Sequence, residues 1–488
     1  MGLAAAAVFL IAFARLWAYV LDDTYISLRY AQNLVQGQGL VYNPGERVEG
    51  YSNFLWTVFL ALPYALHLPP LAFLKISLAL AALATAWLTV RLGIASGLTT
   101  AGAGERWLAW GPGWLVLLTP LVVIRTADGL ETVPFTLLLV MAVTWAFEAR
   151  DSGRFTRLGL ALAGLTLIRP DGVLFAPLVL SIVALRGARP RRIVIAALVC
   201  VVPVVTQVLA RHAYYGDWLP NTFYAKRGGS EDWLNGWRSL LVFLAETGGW
   251  AWLALLPALA WRRTRAVAWM LMAVVATRMA FHVWAGGAWI GRHRFLVPTL
   301  PLLYVIVAGG LAGFGGRAAR PFAAAVVGVL LLVPAWLRYP EVERDRMAYG
   351  RGLTAAHGAL GLAVNARTAP DAVIAMGDAG LTPYLAHRRT VDMLGLNDRH
   401  IGRLPGRFGH KFDVAYVLAR RPDLIVLVST VADPTTTAQI PLASDRAMAV
   451  DSVFRARYRR VHVYTMRPDY HLEVFRRRDS WAVLQDFR

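Results

Sequence analysis

The chain has only one cysteine in 488 residues, and only 16% of its side chains are charged. The single cysteine, Cys200, cannot form a disulfide within the chain, so none holds an outer domain together. A soluble protein of this length would have about a quarter of its residues charged. The mean hydropathy of +0.48 and the 18 tryptophans favour a membrane protein instead.

Signatures of several common enzyme classes are also missing. No zinc-ligand spacing, nucleotide-phosphate loop or Ser-His-Asp arrangement rises above chance. The net charge of +20 would suggest nucleic-acid binding in a soluble protein. Here the arginines concentrate in short loops between apolar runs, which indicates a membrane topology and no nucleic-acid partner.

Four arginine-rich loops predict which segments face the cytoplasm, because positively charged loops stay inside. They contain Arg150, Arg154 and Arg157; Arg186, Arg189, Arg191 and Arg192; Arg262, Arg263 and Arg265; and Arg317 and Arg320. If the N-terminus is also inside, the stretches around Asp128, Asn221 and Arg292 and the tail after Leu337 lie outside.

The apolar runs predict a polytopic α-helical protein with about eleven transmembrane helices. We interpret Leu3 to Val20 as a retained anchor, because no small-residue cleavage site follows it. Phe54 to Leu68 is expected to lie in the interface, within a long first outer loop from 22 to about 70. Leu158 to Leu185 is interrupted by Arg169-Pro-Asp-Gly172, which predicts two short helices whose charged residues face a cavity or one another.

The tail has a different composition, with no segment long and apolar enough to span a bilayer. Short strands are predicted at Ala372 to Met376, Asp423 to Val428 and Arg460 to Thr465, from their β-branched residues. Helices near Thr354 to Ala366 and Phe412 to Arg420 separate them. We therefore expect a transmembrane domain at 1–338 and a soluble, extracytoplasmic α/β domain at 339–488.

Two aspartates, Asp22 and Asp23, directly follow the first apolar run and so lie in the headgroup region. Asp23 or Thr24 can cap a helix from about Tyr25 to Gln36, and a carboxylate at a helix N-terminus is favoured in its ionised form. That position and charge suit a base that activates a polar acceptor beside a lipid-linked group. The alternative is that Asp23 is only a cap and Asp22 a solvated neighbour.

Several motifs along the whole chain together resemble one family. They are Asp22-Asp-Thr-Tyr-Ile-Ser-Leu-Arg-Tyr-Ala-Gln-Asn-Leu34, Gly39-Leu-Val-Tyr-Asn-Pro-Gly-Glu-Arg-Val-Glu-Gly-Tyr-Ser-Asn-Phe-Leu-Trp56, Asp128-Gly-Leu-Glu-Thr132, Arg169-Pro-Asp-Gly172, Leu219-Pro-Asn-Thr-Phe-Tyr-Ala-Lys226, Gly291-Arg-His-Arg-Phe-Leu-Val-Pro298, Gly377-Asp-Ala-Gly380 and Asp392-Met-Leu-Gly-Leu-Asn-Asp398. This set resembles the GT-C superfamily of membrane glycosyltransferases, and within it the terminal β-1,2-arabinofuranosyltransferase family of cell-wall arabinan.

The resemblance implies an inverting glycosyltransferase of the bacterial plasma membrane, which moves a sugar, arabinofuranose in that family, from a polyprenyl-phosphate donor. The acceptor would be a cell-envelope glycan or glycolipid on the outer face. Asp22 would be the general base, and Asp23 a second acid, a metal ligand or a cap. No cofactor is expected, although a divalent cation bridging the aspartate pair stays open.

Further candidates follow from their predicted position at the outer interface. For the donor phosphate these are Lys226, Arg227, Arg292, His293 and Arg294. An arginine fork can bind two phosphate oxygens, but the same side chains could extend to ordinary lipid headgroups. Candidates for contact with the sugar or acceptor are Arg29, Asn33, Glu131, Asn221 and Tyr224, for which capping or helix-terminal roles are the alternative.

One position departs from the family's pattern. Relatives have an acid after a Gly-Gly pair, whereas here Gly286-Gly287 is followed by Ala288. This implies a different substrate, or a role that has moved to Asp128. In the tail, glycine-containing turns hold Asp378, Asp392, Asn397 and Asp398. Turn chemistry alone explains such residues, and contact with a carbohydrate is the weaker alternative.

Two other functions stay open. A transporter or flippase of lipid-linked glycans would have charged residues near the bilayer midplane, and Arg169 and Asp171 fit that pattern. A scaffold for envelope assembly would tolerate changes at Asp22. The concentration of polar residues in the first outer loop and the tail favours the enzyme.

Overall fold

The computed structural model describes residues 2–99, 106–152, 154–227, 232–287, 293–313, 316 and 319–483. The chain divides into two compact units. The membrane unit comprises residues 1–17, 74–207 and 230–343, and the tail unit comprises 18–73, 208–229 and 344–488. The first outer loop therefore packs with the tail, whereas the sequence-based division placed it in the domain 1–338. The division at 338/339 falls inside one continuous helix, Ala319–Leu353.

The helices that begin in the membrane unit are mostly apolar. Their α-helical bounds are Gly2–Arg15, Leu74 onward in Pro70–Ser96, Arg106–Leu118, Pro120–Ala127, Thr132–Ser152, Phe155–Ile168, Phe175–Leu185, Pro190–Tyr215, Asp232–Glu246, Leu256–Ala260, Arg265–Trp284, Leu300–Gly313 and Ala319–Leu353, with 3₁₀ turns at Pro170–Leu174, Gly249–Leu255 and Val297–Thr299. Among the described residues, five helices are long and apolar enough to cross a membrane, or up to seven if each of two bent pairs is one span. About eleven crossings would require shorter apolar helices to cross as well, so that number stays a prediction.

The predicted break between Leu158 and Leu185 is confirmed. The helix Phe155–Ile168 ends where Arg169 adopts an extended conformation, with φ −156° and ψ 132°. A 3₁₀ turn, Pro170–Leu174, then leads into the helix Phe175–Leu185. Proline after an extended residue cannot continue the preceding helix, which explains the break.

The tail unit combines short helices with one sheet. Its helices are Asp22–Val35, Phe54–Phe59, Ala61–Ala65, Asn221–Lys226, Ala359–Arg367, Leu381–Ala386, Arg399–Gly402, Val414–Ala419, Ala443–Val450 and Ser452–Arg457, with a π-helical turn at Thr354–Gly358 and a 3₁₀ turn at Thr437–Gln439. Its strands are β1 (Val373–Met376), β2 (Arg389–Asp392), β3 (Leu424–Ser429), β4 (Tyr458–Arg467) and β5 (Tyr470–Arg477), in the order β2-β1-β3-β5-β4.

The strand predictions are confirmed for β1, β3 and the centre of β4, while β2 and β5 were missed. Strand β3 is buried along its whole length, and apolar side chains such as Ala375, Ile425 and Phe454 form a core around the sheet. The strands β2 and β5 contain arginine, aspartate and glutamate, which weakens the apolar signal.

The sheet has a reversal in its winding direction beside β1. Strands β1 and β2 are parallel, as are β1 and β3, and the chain places β2 and β3 on opposite sides of β1. In open α/β sheets, ligand sites lie beyond the carboxyl ends of the strands at such a reversal. A ligand site of the tail unit is therefore expected at residues 377–381, directly after β1.

Candidate active site

The carboxylate of Asp22 lies against the segment that follows β1. Its two oxygens accept hydrogen bonds from the backbone N–H of Gly380, at 3.0 Å, and of Leu381, at 2.7 Å. The backbone N–H of Asp22 donates to the hydroxyl of Tyr349, at 3.3 Å. These contacts fix the direction of the Asp22 side chain, which is half-buried.

The helix that presents Asp22 begins differently from the prediction. Asp22 is itself the first helical residue of Asp22–Val35, and its N-cap is Leu21, which makes no side-chain capping bond. The predicted caps, Asp23 and Thr24, are therefore wrong, because both lie within the first turn. The N-cap position, which was the alternative to function for Asp23, belongs to Leu21.

Glycine at position 380 permits the close approach of Asp22. A Cβ at this position would lie 2.2 Å from the backbone oxygen of Asp22 and 2.3 Å from its Cγ. Both distances are far shorter than any van der Waals contact, so no other residue fits without moving the Asp22 backbone. The Gly-Asp-Ala-Gly motif of the tail therefore has a defined role in building the site.

A second carboxylate, Asp378, lies in the same turn. The hydroxyl of Tyr470 in β5 donates a hydrogen bond to its Oδ2. The Nε2 of His357 lies 3.6 Å from the same oxygen. Sequence reasoning favoured a turn role for Asp378 over a carbohydrate contact; the signal that could have found its place in the site is its position directly after a predicted strand.

The electrostatics of Asp22 contradict the expected ionised form. Burial raises the pKa of Asp22 to about 8, and the negative charges of Asp378 and Asp23 act in the same direction. The two backbone N–H donors lower it, but by less. The expectation of a readily ionised carboxylate at a helix N-terminus was wrong because it considered the helix alone, without burial and without Asp378.

Three residues predicted to contact sugar or acceptor have structural partners instead. Arg29 donates to the carbonyls of Tyr42, Pro383 and Arg388, at 2.8, 2.7 and 2.7 Å. Asn33 donates to the carbonyls of Val41 and Tyr42, and the Asn221 amide donates to those of Gly395, Leu396 and Asp398. These buried side chains hold loops of the tail unit together, and a sugar contact of any of them stays a prediction.

The predicted phosphate ligands fall into two groups. Lys226 and Arg227 are exposed at the end of the helix Asn221–Lys226 in the tail unit, and Tyr224 of the same helix is half-buried beneath the Arg403 guanidinium, 4.7 Å from its ring centroid. His293 and Arg294 belong to the membrane unit, where His293 Nε2 lies 3.0 Å from Glu246. Arg292 and Ala288 lie outside the described residues.

Glu131 and Arg294 belong to a buried ion-pair network in the membrane unit. Glu131 pairs with Arg294 and with Arg169, the latter at 2.6 Å. Arg169 also pairs with Asp171, at 3.0 Å, and Asp171 pairs with Arg278. The prediction that the charges of Arg169 and Asp171 face one another is therefore confirmed. A sugar contact of Glu131 is less favoured, since the carboxylate is buried between two guanidiniums.

Within the part of the chain that the structure describes, no group of three histidine, cysteine, aspartate or glutamate side chains is placed to hold a metal ion. Asp22 and Asp23 form a pair of carboxylates in the first turn of one helix. The arrangement can accept a proton at Asp22, whose carboxylate two backbone donors orient, and hold that proton beside the second carboxylate of Asp378.

Comparisons with known proteins agree with the sequence motifs. Residues 344–483 match a family model described as a domain of unknown function, DUF8728. Two relatives are named terminal beta-(1->2)-arabinofuranosyltransferase: one from Mycobacterium tuberculosis, 30% identical over 230 residues, and one from Corynebacterium glutamicum, 29% identical over 270 residues. The matches cover 45% and 49% of this chain, and the chain spans only 36% and 38% of the length of those relatives.

A solved structure is similar over nearly the whole chain. ArnT from Cupriavidus metallidurans, crystallised bound to undecaprenyl phosphate, superimposes with a TM-score of 0.61 at 13% identity and covers 99% of both chains. At this identity the likeness shows the fold. The chain is therefore a multi-pass membrane protein with the GT-C fold of membrane glycosyltransferases, similar in sequence to terminal arabinofuranosyltransferases.

Proposed function

We propose that this protein is an inverting glycosyltransferase that moves a sugar from a polyprenyl-phosphate donor to a cell-envelope glycan or glycolipid, on the outer face of a bacterial plasma membrane. The main supporting observation is the Asp22 carboxylate, which two backbone N–H groups fix beside Asp378 in a GT-C fold. Arabinofuranose is the first donor sugar to test, because it is in the names of the relatives.

In this proposal Asp22 is the general base. Its ionised carboxylate takes the proton of an acceptor hydroxyl, whose oxygen attacks the anomeric carbon of the donor. The bond from that carbon to the phosphate oxygen breaks, and polyprenyl phosphate leaves with the electron pair. A base with a pKa near the working pH is efficient, and general-base assistance contributes on the order of 10²–10⁴-fold. The raised pKa of Asp22 therefore suits this role.

Transfer should become faster as the pH rises and should level off above about pH 8, where Asp22 is ionised. Below that value, each pH unit should change kcat/KM about tenfold, since only the ionised carboxylate accepts a proton. The measurement is kcat/KM for the donor between about pH 6 and pH 10, with the acceptor at a saturating concentration. A rate that is independent of pH over this range would contradict Asp22 as the base.

The departing phosphate needs positive charge, and we propose that Lys226 and Arg227 provide it. Both are exposed, and Arg227 lies 6.0 Å from the ring centroid of Phe223. Replacing both by alanine should lower kcat/KM for the donor by about 10- to 100-fold, because a charge-assisted hydrogen bond contributes about 1.5–3 kcal/mol. Arg191→Ala, at another exposed arginine, is the control and should have no effect. An unchanged donor KM and kcat in the double variant would exclude these two residues.

The proposed function is tested by assaying the purified protein with a panel of polyprenyl-phosphate sugars and arabinan-type acceptors. Transfer from one donor, with inversion at the anomeric carbon detected by NMR, would establish the activity and identify the sugar. Repeating the assay in EDTA tests the expectation that no divalent cation is needed. A folded protein that transfers sugar from none of these donors would contradict the proposal.

Transport of a lipid-linked glycan is the second candidate, and the buried network around Arg169 and Asp171 is the observation that favours it. A transport role predicts that Arg169→Gln abolishes movement of a labelled lipid-linked glycan across a vesicle membrane. If such movement occurs in the wild type without any sugar transfer, the transporter is the better explanation.

A further inference from the structure

The reversal of the sheet beside β1 brings together four titratable side chains of the tail unit. Asp378 lies in the segment after β1, the Asp22 carboxylate accepts a hydrogen bond from Gly380 of the same segment, and His357 and Tyr470 contact Asp378. Asp445 accepts a hydrogen bond, at 2.7 Å, from the backbone N–H of Val428 in the neighbouring strand β3. Formation of a turn does not require several acidic groups at one place. The backbone N–H groups of the turn also bind Asp22 and not an acid of the turn itself.

One short segment performs two tasks. The N–H groups of Gly380 and Leu381 hold the Asp22 carboxylate, while Asp378 lies two residues before Gly380. The position of Asp378 relative to Asp22 is therefore set by the backbone, and Tyr470 fixes the orientation of its carboxylate.

His357 is oriented as firmly as Asp378. The Thr382 hydroxyl donates to the carbonyl of His357, at 3.0 Å, and therefore accepts from the ring Nδ1–H, at 3.2 Å. The Nε2 atom then faces Asp378, at 3.6 Å. Tyr470 and His357 together orient the Asp378 carboxylate, which stays partly exposed to solvent.

We propose that Asp378 is a positioning residue for sugar transfer, whose fixed carboxylate beside Asp22 determines when Asp22 can release and accept a proton. This inference rests on the proposed function of Asp22 as the base. The negative charge of Asp378 disfavours ionisation of Asp22, so Asp22 keeps its proton over a wider pH range and becomes a stronger base once ionised.

Other groups also act on Asp22 and must be considered. Asp23 lies next to it and raises its pKa, as Asp378 does. Burial raises the pKa of Asp445 to about 7, so this group also titrates near neutral pH. Burial raises the pKa of Tyr25, Tyr42 and Tyr470, so these phenols stay neutral. The remaining neighbours are Tyr349, through its hydroxyl, and His357, through Asp378.

The test is Asp378→Asn in the full chain, because asparagine keeps the shape and an acceptor for Tyr470 but removes the charge. The apparent pKa of the kcat/KM profile should fall by about one unit or more, and the alkaline plateau should also fall, since Asp22 becomes a weaker base. Asp378→Glu should restore most of the wild-type profile. Asp371→Asn, at an exposed site of the same unit, is the matched control and should leave the profile unchanged.

A second measurement does not depend on transfer. Asp22 has a raised pKa in the folded state, so its contribution to stability is present at low pH and is lost as the pH rises through about 8. In detergent, the decrease in Tm with rising pH should be smaller in Asp378→Asn and should end at a lower pH, and it should be smallest in Asp22→Asn. An Asp378→Asn variant with wild-type profiles in both measurements would overturn the proposal. The expected Tm changes without transfer by any variant would support the coupling of the two carboxylates and refute the glycosyltransferase function.

Discussion

Asp22→Asn should lower sugar transfer by about 10²–10⁴-fold, the usual contribution of a general base. The substitution removes the proton acceptor but keeps the size of the side chain. The loss should appear in kcat, since the acceptor hydroxyl loses its proton only during the reaction. Single-turnover rates with the donor identified in the panel would measure it directly.

The variant should fold normally, which makes its loss of activity interpretable. Because burial and Asp378 keep Asp22 largely protonated at neutral pH, a neutral asparagine resembles the state already present. Its oxygen can accept from the N–H of Leu381 or Gly380, while its NH₂ group must turn away from the other donor. Tm measured below about pH 7 should therefore change little.

Asp23→Asn is the matched control for this experiment, because it removes a carboxylate from the same helical turn. We expect a modest change in activity, since the charge of Asp23 is a smaller influence on Asp22 than burial and Asp378. Equal transfer by Asp22→Asn and the wild type would exclude Asp22 as the base. Loss in Asp23→Asn alone would assign that role to Asp23.

Glu131→Gln should destabilise the protein by about 3–5 kcal/mol, the cost of removing one partner from a buried ion pair. Glu131 is 1% exposed and lies between the guanidiniums of Arg169 and Arg294. Glutamine removes the negative charge and places an NH₂ donor against two other donors. The thermal midpoint in detergent should fall by several degrees, in the presence or absence of donor.

Glu148→Gln is the control for the charge effect. Glu148 also pairs with two arginines, Arg91 and Arg154, but those guanidiniums are partly exposed, at 31% and 37%. Exposed pairs contribute about 0–1 kcal/mol, so the midpoint should hardly change. If Glu131→Gln keeps the wild-type midpoint and instead raises the acceptor KM, the sugar-binding role predicted from the sequence is right and the structural role is wrong.

Predictions from the sequence succeeded where the cause is local. The helix break at Arg169-Pro-Asp-Gly172 follows from proline, which cannot continue the helix. Strands β1 and β3 follow from short runs of β-branched residues. Strands β2 and β5 were missed because they contain charged residues, which weaken the strand signal. Such residues are accommodated by partners that are distant in sequence, as Arg477 is by Asp423.

Roles that depend on a distant partner could not be assigned in this way. Arg29 was a candidate for contact with the sugar or acceptor from its predicted position at the outer interface, yet its guanidinium donates to carbonyls 354 and 359 residues away. The same limit applies to Glu131, whose arginine partners are 38 and 163 residues away. A charged residue near a helix N-terminus has the same sequence pattern whether it binds a ligand or pairs with another part of the protein.

The membrane class of the protein, the α/β character of its tail and Asp22 as a candidate base could all be predicted from the sequence. These follow from hydropathy, local backbone preferences and one motif. Only the tertiary structure brought Asp22 to Gly380, 358 residues away, and so placed it beside Asp378. The protonation of a carboxylate depends on its burial and on the charges around it, and both are set by contacts between segments that are far apart in the chain.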